Sequence, residues 1–463
     1  MDKPVSVGPR ALITYGLLGW AMGAVVVPIY IQVPYLYNRV YEVPSAWVGV
    51  ILLLSRLIDA VLDPAIGLWV DRRSSNTNRY VFPIVLSVPF LLLGMAGVFF
   101  PVGSTPVHHA ASLMVSLLVV HLGYSLVSIA YQSWGAELGN TDKERSTFVA
   151  VREGVGIFGV IFAVSLSLET HGVLIYTVFV AMLLAGLYVL LKYSLTPADY
   201  AGQARPAHHQ STHGIPVGSL RRLQQAIADV LHPLSHSNFR RLMAVFLCNG
   251  LAGALPATLV PFYMRDRLGL TDADQWVLAV YFLVGAVSTV FWVWLSSRLG
   301  LAWTWLCSIV ITVPTFALVA TLGEGDFQPY LWVCIVTGFA LGADLSMPAA
   351  LVARVIGDNG ERGSNEGTYF GLWNWMTKLN LALAPTVALG TLQWFNYSPD
   401  IAKTEAFKAM GLLDQLANDP LIWMYSLIPC GLKILAMVLL VFSGLGGRPQ
   451  AVPANTATHR SAA

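Results

Sequence analysis

Charge is what this chain has least of. Only 11% of its 463 residues are Asp, Glu, Lys or Arg, against about 25% in an average soluble domain, and that deficit argues against a water-soluble enzyme. With a formal net charge of only +2, the chain also lacks the concentrated basic face that a nucleic-acid partner requires, so none is expected. Cysteine is scarce as well. Cys248, Cys307, Cys334 and Cys430 each fall inside an apolar run without CxxC spacing, which leaves them as packing residues rather than a disulfide framework or zinc site. No HExxH, GxSxG or phosphate-cradling glycine loop occurs, so no catalytic residue, bound metal or organic cofactor is expected.

What the chain does have is long apolar runs. Crossing a bilayer takes about 20 mostly apolar residues, and twelve runs qualify, near 11–35, 46–70, 80–101, 108–134, 148–168, 173–193, 239–264, 275–296, 301–321, 329–353, 369–394 and 421–443. The first is too long for a signal-peptide core and lacks a small-residue cleavage site, so it reads as a retained helix. Lysine and arginine set the orientation, because positive loops stay on the cytoplasmic side. With the N-terminus inside, eighteen of these residues fall on the cytoplasmic side and five outside. Both termini are therefore predicted to be cytoplasmic, in a multi-pass protein of the cell (inner or plasma) membrane.

A polar stretch over 194–238, with His208, His209 and His213 beside prolines, divides the runs six and six. It reads as a solvated cytoplasmic linker, since its histidines lack nearby cysteine and regular ligand spacing. The predicted organisation is thus a six-helix bundle over 1–193, the linker, a second six-helix bundle over 239–446 and a disordered tail over 447–463. An all-α membrane protein of twelve transmembrane helices in two six-helix bundles is the layout of the major facilitator superfamily, in which substrate binds between the halves at mid-membrane. One chain supplies a whole pathway, so a functional monomer is expected.

Charges inside such runs cost at least about 2.5 to 3.5 kcal/mol each and demand an explanation. The second run reads Ser55-Arg56-Leu57-Ile58-Asp59-Ala60-Val61-Leu62-Asp63-Pro64-Ala65-Ile66-Gly67. Spacings of three and four place Arg56, Asp59 and Asp63 on one face. Two carboxylates one turn apart resist joint ionisation, which suits them to carry a proton or hold a small cation; an Arg56–Asp59 ion pair that merely ties helices together is the plainer alternative. Ser125, Ser128 and Gln132 on the fourth run, Arg152 on the fifth, and Asn374 and Lys378 on the eleventh extend the polar set. Asp344 stands isolated on the tenth run, as a substrate ligand or a partner for a cation on the eleventh. Tyr131, Trp134, Trp373 and Trp375 lie close to these positions and read either as faces on which a sugar ring could stack or as members of an interfacial belt.

Taken together, the residues resemble the glycoside-pentoside-hexuronide:cation symporters, the melibiose-permease-like branch of that superfamily. The resemblance rests on Arg56 to Pro64 with Gly67 and Asp71-Arg72, on Tyr131-Gln132-Ser133-Trp134-Gly135-Ala136-Glu137-Leu138, and on Asp142-Lys143-Glu144-Arg145 before Arg152. In the second half it continues through Asn249 to Thr258, Gly342-Ala343-Asp344-Leu345, and Tyr369-Phe370-Gly371-Leu372-Trp373 leading to Lys378. It implies cation-coupled symport of a sugar, glycoside or uronide by alternating access. Asp59 and Asp63, with Arg56, Ser125 and Ser128, would serve the coupling cation; Tyr30, Gln132, Arg152, Asp344, Trp373, Asn374 and Lys378 would bind substrate; Gly67, Asp71 and Arg72 would form a conformational latch. The chain departs from the family's pattern at Gly23, Leu62, Ser128 and Gln132, where the melibiose-type pattern has a sugar-binding aspartate, a sodium-holding asparagine, an aspartate and a stacking tryptophan. Fewer oxygen ligands favour a proton over sodium, because hard cations need several. The same layout also serves proton-coupled exporters of drugs and amphiphiles and lysolipid transporters.

Overall fold

The computed structural model describes residues 9–446 apart from 28, 30–31, 74–77, 140, 165, 167, 193–218, 271–275, 396, 398–413 and 415–417. Tyr30, the histidines at 208, 209 and 213, and the tail over 447–463 lie outside the described residues. Fourteen helices are used below. The first half holds α1 (Pro9–Val27), α2 (Val33–Arg39), α3 (Ser45–Asp71), α4 (Asn78–Phe99), α5 (Pro106–Leu138), α6 (Asp142–Val164) and α7 (Leu168–Lys192). The linker contributes α8 (Ser219–Leu231) and a 3-10 turn, His232–Ser235. The second half holds α9 (Ser237–Phe262), α10 (Trp276–Leu299), α11 (Leu301–Ala317), α12 (Phe327–Asp358), α13 (Glu366–Trp394) and α14 (Ile428–Phe442).

Among the described residues, nine helical segments are long and apolar enough to cross a membrane. The expected first, second and eleventh spans are not among them. Part of the first lies outside the described residues, while α3 carries Arg56, Asp59 and Asp63 and α13 carries Asn374 and Lys378. The two of these that are described along their whole length, α3 and α13, are the ones that bear the polar groups.

Local signals fix several helix ends. At the start of α6, the Glu144 backbone N–H donates to Thr141 Oγ1 and the Thr141 N–H donates to Glu144 Oε2, each at 3.2 Å, which is a capping box. Thr105 opens α5 by accepting from the His108 N–H, with Pro106 in the first turn, where a missing N–H costs nothing. The linker is not wholly irregular, as its polar composition suggested: α8 sorts its apolar residues to one face and is tied to the first half by Arg72 and Asp229 at 2.7 Å.

Within the first half α4 packs on α5 and α1 on α6; in the second, α12 packs on α10 and α11, and α9 on α13 and α14. The halves meet chiefly through α3 against α13 and α6 against α10 and α12. Core packing shows where they close. At the linker end, Ala136 of α5 and Val149 and Ala150 of α6 join the core of the second half. At the opposite end, the second half's core around Leu259, Tyr263 and Tyr425 takes in no described residue of the first. The structure is thus closed at the linker end.

Candidate functional site

α3 and α13 approach backbone to backbone. Gly367 and Gly371 of α13 lie one turn apart and face α3; a Cβ on Gly371 would sit 2.7 Å from the Asp63 carbonyl oxygen, and one on Gly67 would run into the Gly367 carbonyl. Small residues at this spacing let helices touch closely in a membrane. That closeness brings the Lys378 side chain, two turns beyond Gly371, onto the acidic face of α3.

Lys378 Nζ lies 2.6 Å from Asp59 Oδ2 and 2.7 Å from Asp63 Oδ2, and it donates to Asp63 Oδ1 at 2.7 Å and to Ser125 Oγ at 2.9 Å. Ser125 Oγ in turn donates to Asp59 Oδ1 at 2.8 Å. Both carboxylates are buried, Asp63 completely. An ammonium has three donors, and here all three face the two carboxylates and the serine. Lys378, read from sequence as a substrate ligand, is instead the counter-ion of the acidic pair. Arg56 stands half-buried one turn before Asp59.

One turn before Lys378, Asn374 also reaches across the halves. Its Nδ2 donates to Ser128 Oγ and its Oδ1 accepts from Gln132 Nε2, each at 3.1 Å. Ser128 therefore belongs to this bridge rather than to the shell of Lys378. Beside the bridge lies a cavity of about 280 Å³ lined by Ser128, Tyr131, Gln132, Arg152 and Glu153 on one side and by Phe282, Leu341 and Leu345 of the second half on the other. Arg152 is paired with Glu153 at 2.6 Å. Gly23 also borders the cavity, but a Cβ there would run into the Gly156 carbonyl of α6. The α1–α6 contact, rather than a ligand, uses that position.

Two expected substrate residues lie elsewhere. Asp344 accepts from Trp305 Nε1 at 2.6 Å, from Asn249 Nδ2 at 3.2 Å and from Lys433 Nζ at 3.0 Å. All are residues of the second half, so Asp344 is satisfied within that bundle by Lys433, not by a cation on α13. Trp373 is buried and stacked on Phe246, with ring centroids 3.7 Å apart, and so offers no free face to a sugar.

The residues expected to form a latch are arranged differently from their sequence reading. Asp71 accepts from the backbone N–H groups of Gly367 and Thr368 at 2.7 and 2.6 Å and from Thr368 Oγ1 at 2.6 Å. A carboxylate from one half thereby caps the N-terminus of a helix from the other, where the helix dipole favours an anion. Arg72 is not part of this arrangement; its exposed side chain points to Asp229. The partner is Arg79, buried, 2.5 Å from Asp71 Oδ1, and donating to the carbonyls of Gly363 and Ser364 at 2.6 and 2.8 Å. Arg362 answers from the second half, donating to the carbonyls of Glu137 and Gly139 at 2.7 and 2.9 Å. Arg354 and Asp142 add a third bridge at 3.3 Å.

Residues 12–446 match the family described as MFS/sugar transport protein. The chain belongs to that family, within the major facilitator superfamily. It is 20% identical over 400 residues to sodium-dependent lysophosphatidylcholine symporter 1 of Xenopus tropicalis, covering 77% of this chain and 74% of that one. It is 27% identical over 156 residues to a putative glycoside/cation symporter of Escherichia coli, covering 32% and 34%. The fold is similar to that of a bacterial homologue of the iron transporter ferroportin in its outward-facing state, with a TM-score of 0.64 at 14% identity over 95% of this chain and 99% of that one. It is similar too to the Escherichia coli fucose:proton symporter, with a TM-score of 0.59 at 14% identity over 94% and 98%. This protein is a membrane transporter, and the glycoside-symporter resemblance and the all-α two-bundle fold read from its sequence both hold.

Proposed function

We propose that this transporter couples inward movement of a proton to that of a sugar, glycoside or uronide, and that Asp59, Asp63 and Lys378 form the coupling device. The observation that carries the reading is the Lys378 ammonium seated between two buried carboxylates of the other half. Protonating a carboxylate weakens its hold on Lys378, so the charge state of α3 sets how firmly α3 and α13 are joined. Transport then follows by rocking of the halves about the cavity. With the linker and both termini in the cytoplasm, as the positive residues indicate, closure at the linker end makes this the outward-facing form.

A proton fits the site better than sodium. Leu62 is exposed on the outer face of α3 and Ser128 is engaged by Asn374, which leaves Ser125 as the neutral side-chain oxygen in contact with the acidic pair. The cavity's polar wall, with Arg152, Gln132 and two tyrosines, suits a hydroxylated or carboxylated solute. Its volume, about 280 Å³, lies just below the range for small-molecule sites, about 300 to 1,000 Å³. The wall formed by Phe282, Leu341 and Leu345 favours a second reading, a lysolipid whose tail lies against the second half, and the lysophosphatidylcholine symporters among the relatives support that alternative.

Uptake by proteoliposomes under an imposed pH or sodium gradient, with radiolabelled glycosides, uronides and lysolipids, tests the proposal. A glycoside or uronide accumulated by the pH gradient alone is expected. Asp63→Asn should abolish accumulation while leaving exchange of substrate across the membrane. Accumulation driven only by sodium, or unchanged in Asp63→Asn, would overturn the proton mechanism, and accumulation of lysolipid alone would overturn the sugar assignment.

A further inference from the structure

Outside the coupling cluster, one group of titratable side chains is arranged as ligands. His232 opens and His236 follows the 3-10 turn that joins the linker to α9, and both rings turn their Nε2 atoms to one oxygen of Glu361, at 2.7 and 3.1 Å. The three potential ligand atoms lie within 4.8 Å of one another. In a tetrahedral zinc site, bond lengths of about 2.0 to 2.2 Å separate neighbouring ligand atoms by about 3.3 Å, so a small opening of the cluster accommodates an ion. The second carboxylate oxygen, Oε2, is buried, and the Tyr369 hydroxyl faces the same carboxylate.

The scaffold on each side is fixed. Arg240 donates to the carbonyls of Leu234 and Ser235 at 2.7 and 2.8 Å, pinning the turn. Glu361 projects from a tight loop whose Gly360 and Gly363 have φ of +74° and +81°, values that glycine adopts without strain. Glu361 is mostly buried while the histidines are more open, with side-chain exposures of 48% and 29%, which gives an ion a way in. Two imidazoles and one carboxylate suit zinc-type dications, whereas calcium and magnesium demand more oxygens.

We propose that His232, His236 and Glu361 bind a transition-metal dication of the Zn²⁺ type, which fastens the linker to the α12–α13 loop and favours closure at the linker end. The second part follows from position. Arg362, next to Glu361, holds the carbonyls of Glu137 and Gly139 in the first half, and Gly363 and Ser364 accept from Arg79. An ion at Glu361 therefore stiffens the loop through which the halves grip each other. The proposal stands apart from the choice of substrate or coupling ion.

The test uses the full chain without an affinity histidine tag and with His208, His209 and His213 changed to Ala, so that the linker's other histidines cannot bind. After chelator treatment, calorimetric titration should show one Zn²⁺ bound per chain and no binding of Mg²⁺. Glu361→Gln and His232→Asn should each weaken Zn²⁺ by at least about tenfold, with the metal-free elution profile and thermal midpoint unchanged in the exposed His232→Asn variant. Spin labels on the linker ends of α5 and α12 should report a larger closed population with Zn²⁺ in the parent only. Absence of Zn²⁺ binding by the parent, or equal affinity in the His232→Asn/His236→Asn/Glu361→Gln variant, would overturn the site. Binding without a change in the label distances would overturn the clamp.

Discussion

Lys378 shows how much one side chain can carry when it is the shared counter-ion of a buried pair. Removing one partner of a buried ion pair costs about 3 to 5 kcal/mol, because the other is left uncompensated. Lys378→Ala should therefore lower the chemical denaturation midpoint of the purified protein by a loss of that order. Adding Asp63→Asn should restore part of it, since one of the orphaned carboxylates is gone. Strict additivity of the two losses would mean that the residues do not interact in the native state. The acidic pair was legible in the sequence because two aspartates in an apolar run are conspicuous. Its counter-ion was not, since Lys378 lies 315 residues beyond Asp63 and spacing says nothing at that range. Asp344 misled for the related reason that its partner, Lys433, sits on another helix.

At the scale of elements, the α3–α13 contact depends on side chains that are missing. A Cβ at Gly67 has no room beside the Gly367 carbonyl, and overpacking of this kind costs about 1 to 3 kcal/mol. Gly67→Leu should therefore force the linker ends of α3 and α13 apart, read as increased labelling of a cysteine introduced at Thr368 by a membrane-impermeant reagent from the linker side. Unchanged labelling would show that the contact tolerates bulk. Sequence periodicity found the spanning helices but not the linker's own helix: the amphipathic α8 lay hidden in a segment read as solvated. Gly67 and Asp71 were legible as a motif, whereas Arg79 was not, because charges at helix ends are ordinary. The stretches Thr141-Asp142-Lys143-Glu144-Arg145 and Asp358-Asn359-Gly360-Glu361-Arg362, each ending in Glu-Arg, held a usable signal. Read as a repeat, they point to paired arginines, one from each half, and Arg145 and Arg362 both donate to the Gly139 carbonyl.

For the whole molecule, the state is set by which end is closed, and closure here rests on Asp71, Arg79, Arg354, Arg362 and the helix ends they cap. Arg79→Gln shortens the side chain and removes a buried charge from Asp71 and two carbonyls. It should shift the population toward opening at the linker end, seen as longer distances between spin labels on the linker ends of α5 and α12. An unshifted distribution would assign closure to the apolar contacts of Ala136, Val149 and Ala150 instead.

The long sequence separation between Asp63 and Lys378 also has a consequence for biogenesis. Chains grow at about 5 to 20 residues per second, so roughly 15 to 60 s pass between synthesis of α3 and synthesis of its counter-ion. For that interval α3 must wait in or beside the bilayer with its aspartates unneutralised by Lys378. Ser125 of α5 is the first of their described partners to emerge. The Ser125 hydroxyl of α5 is thus available to Asp59 well before Lys378 is made, and the cluster is complete only when α13 arrives.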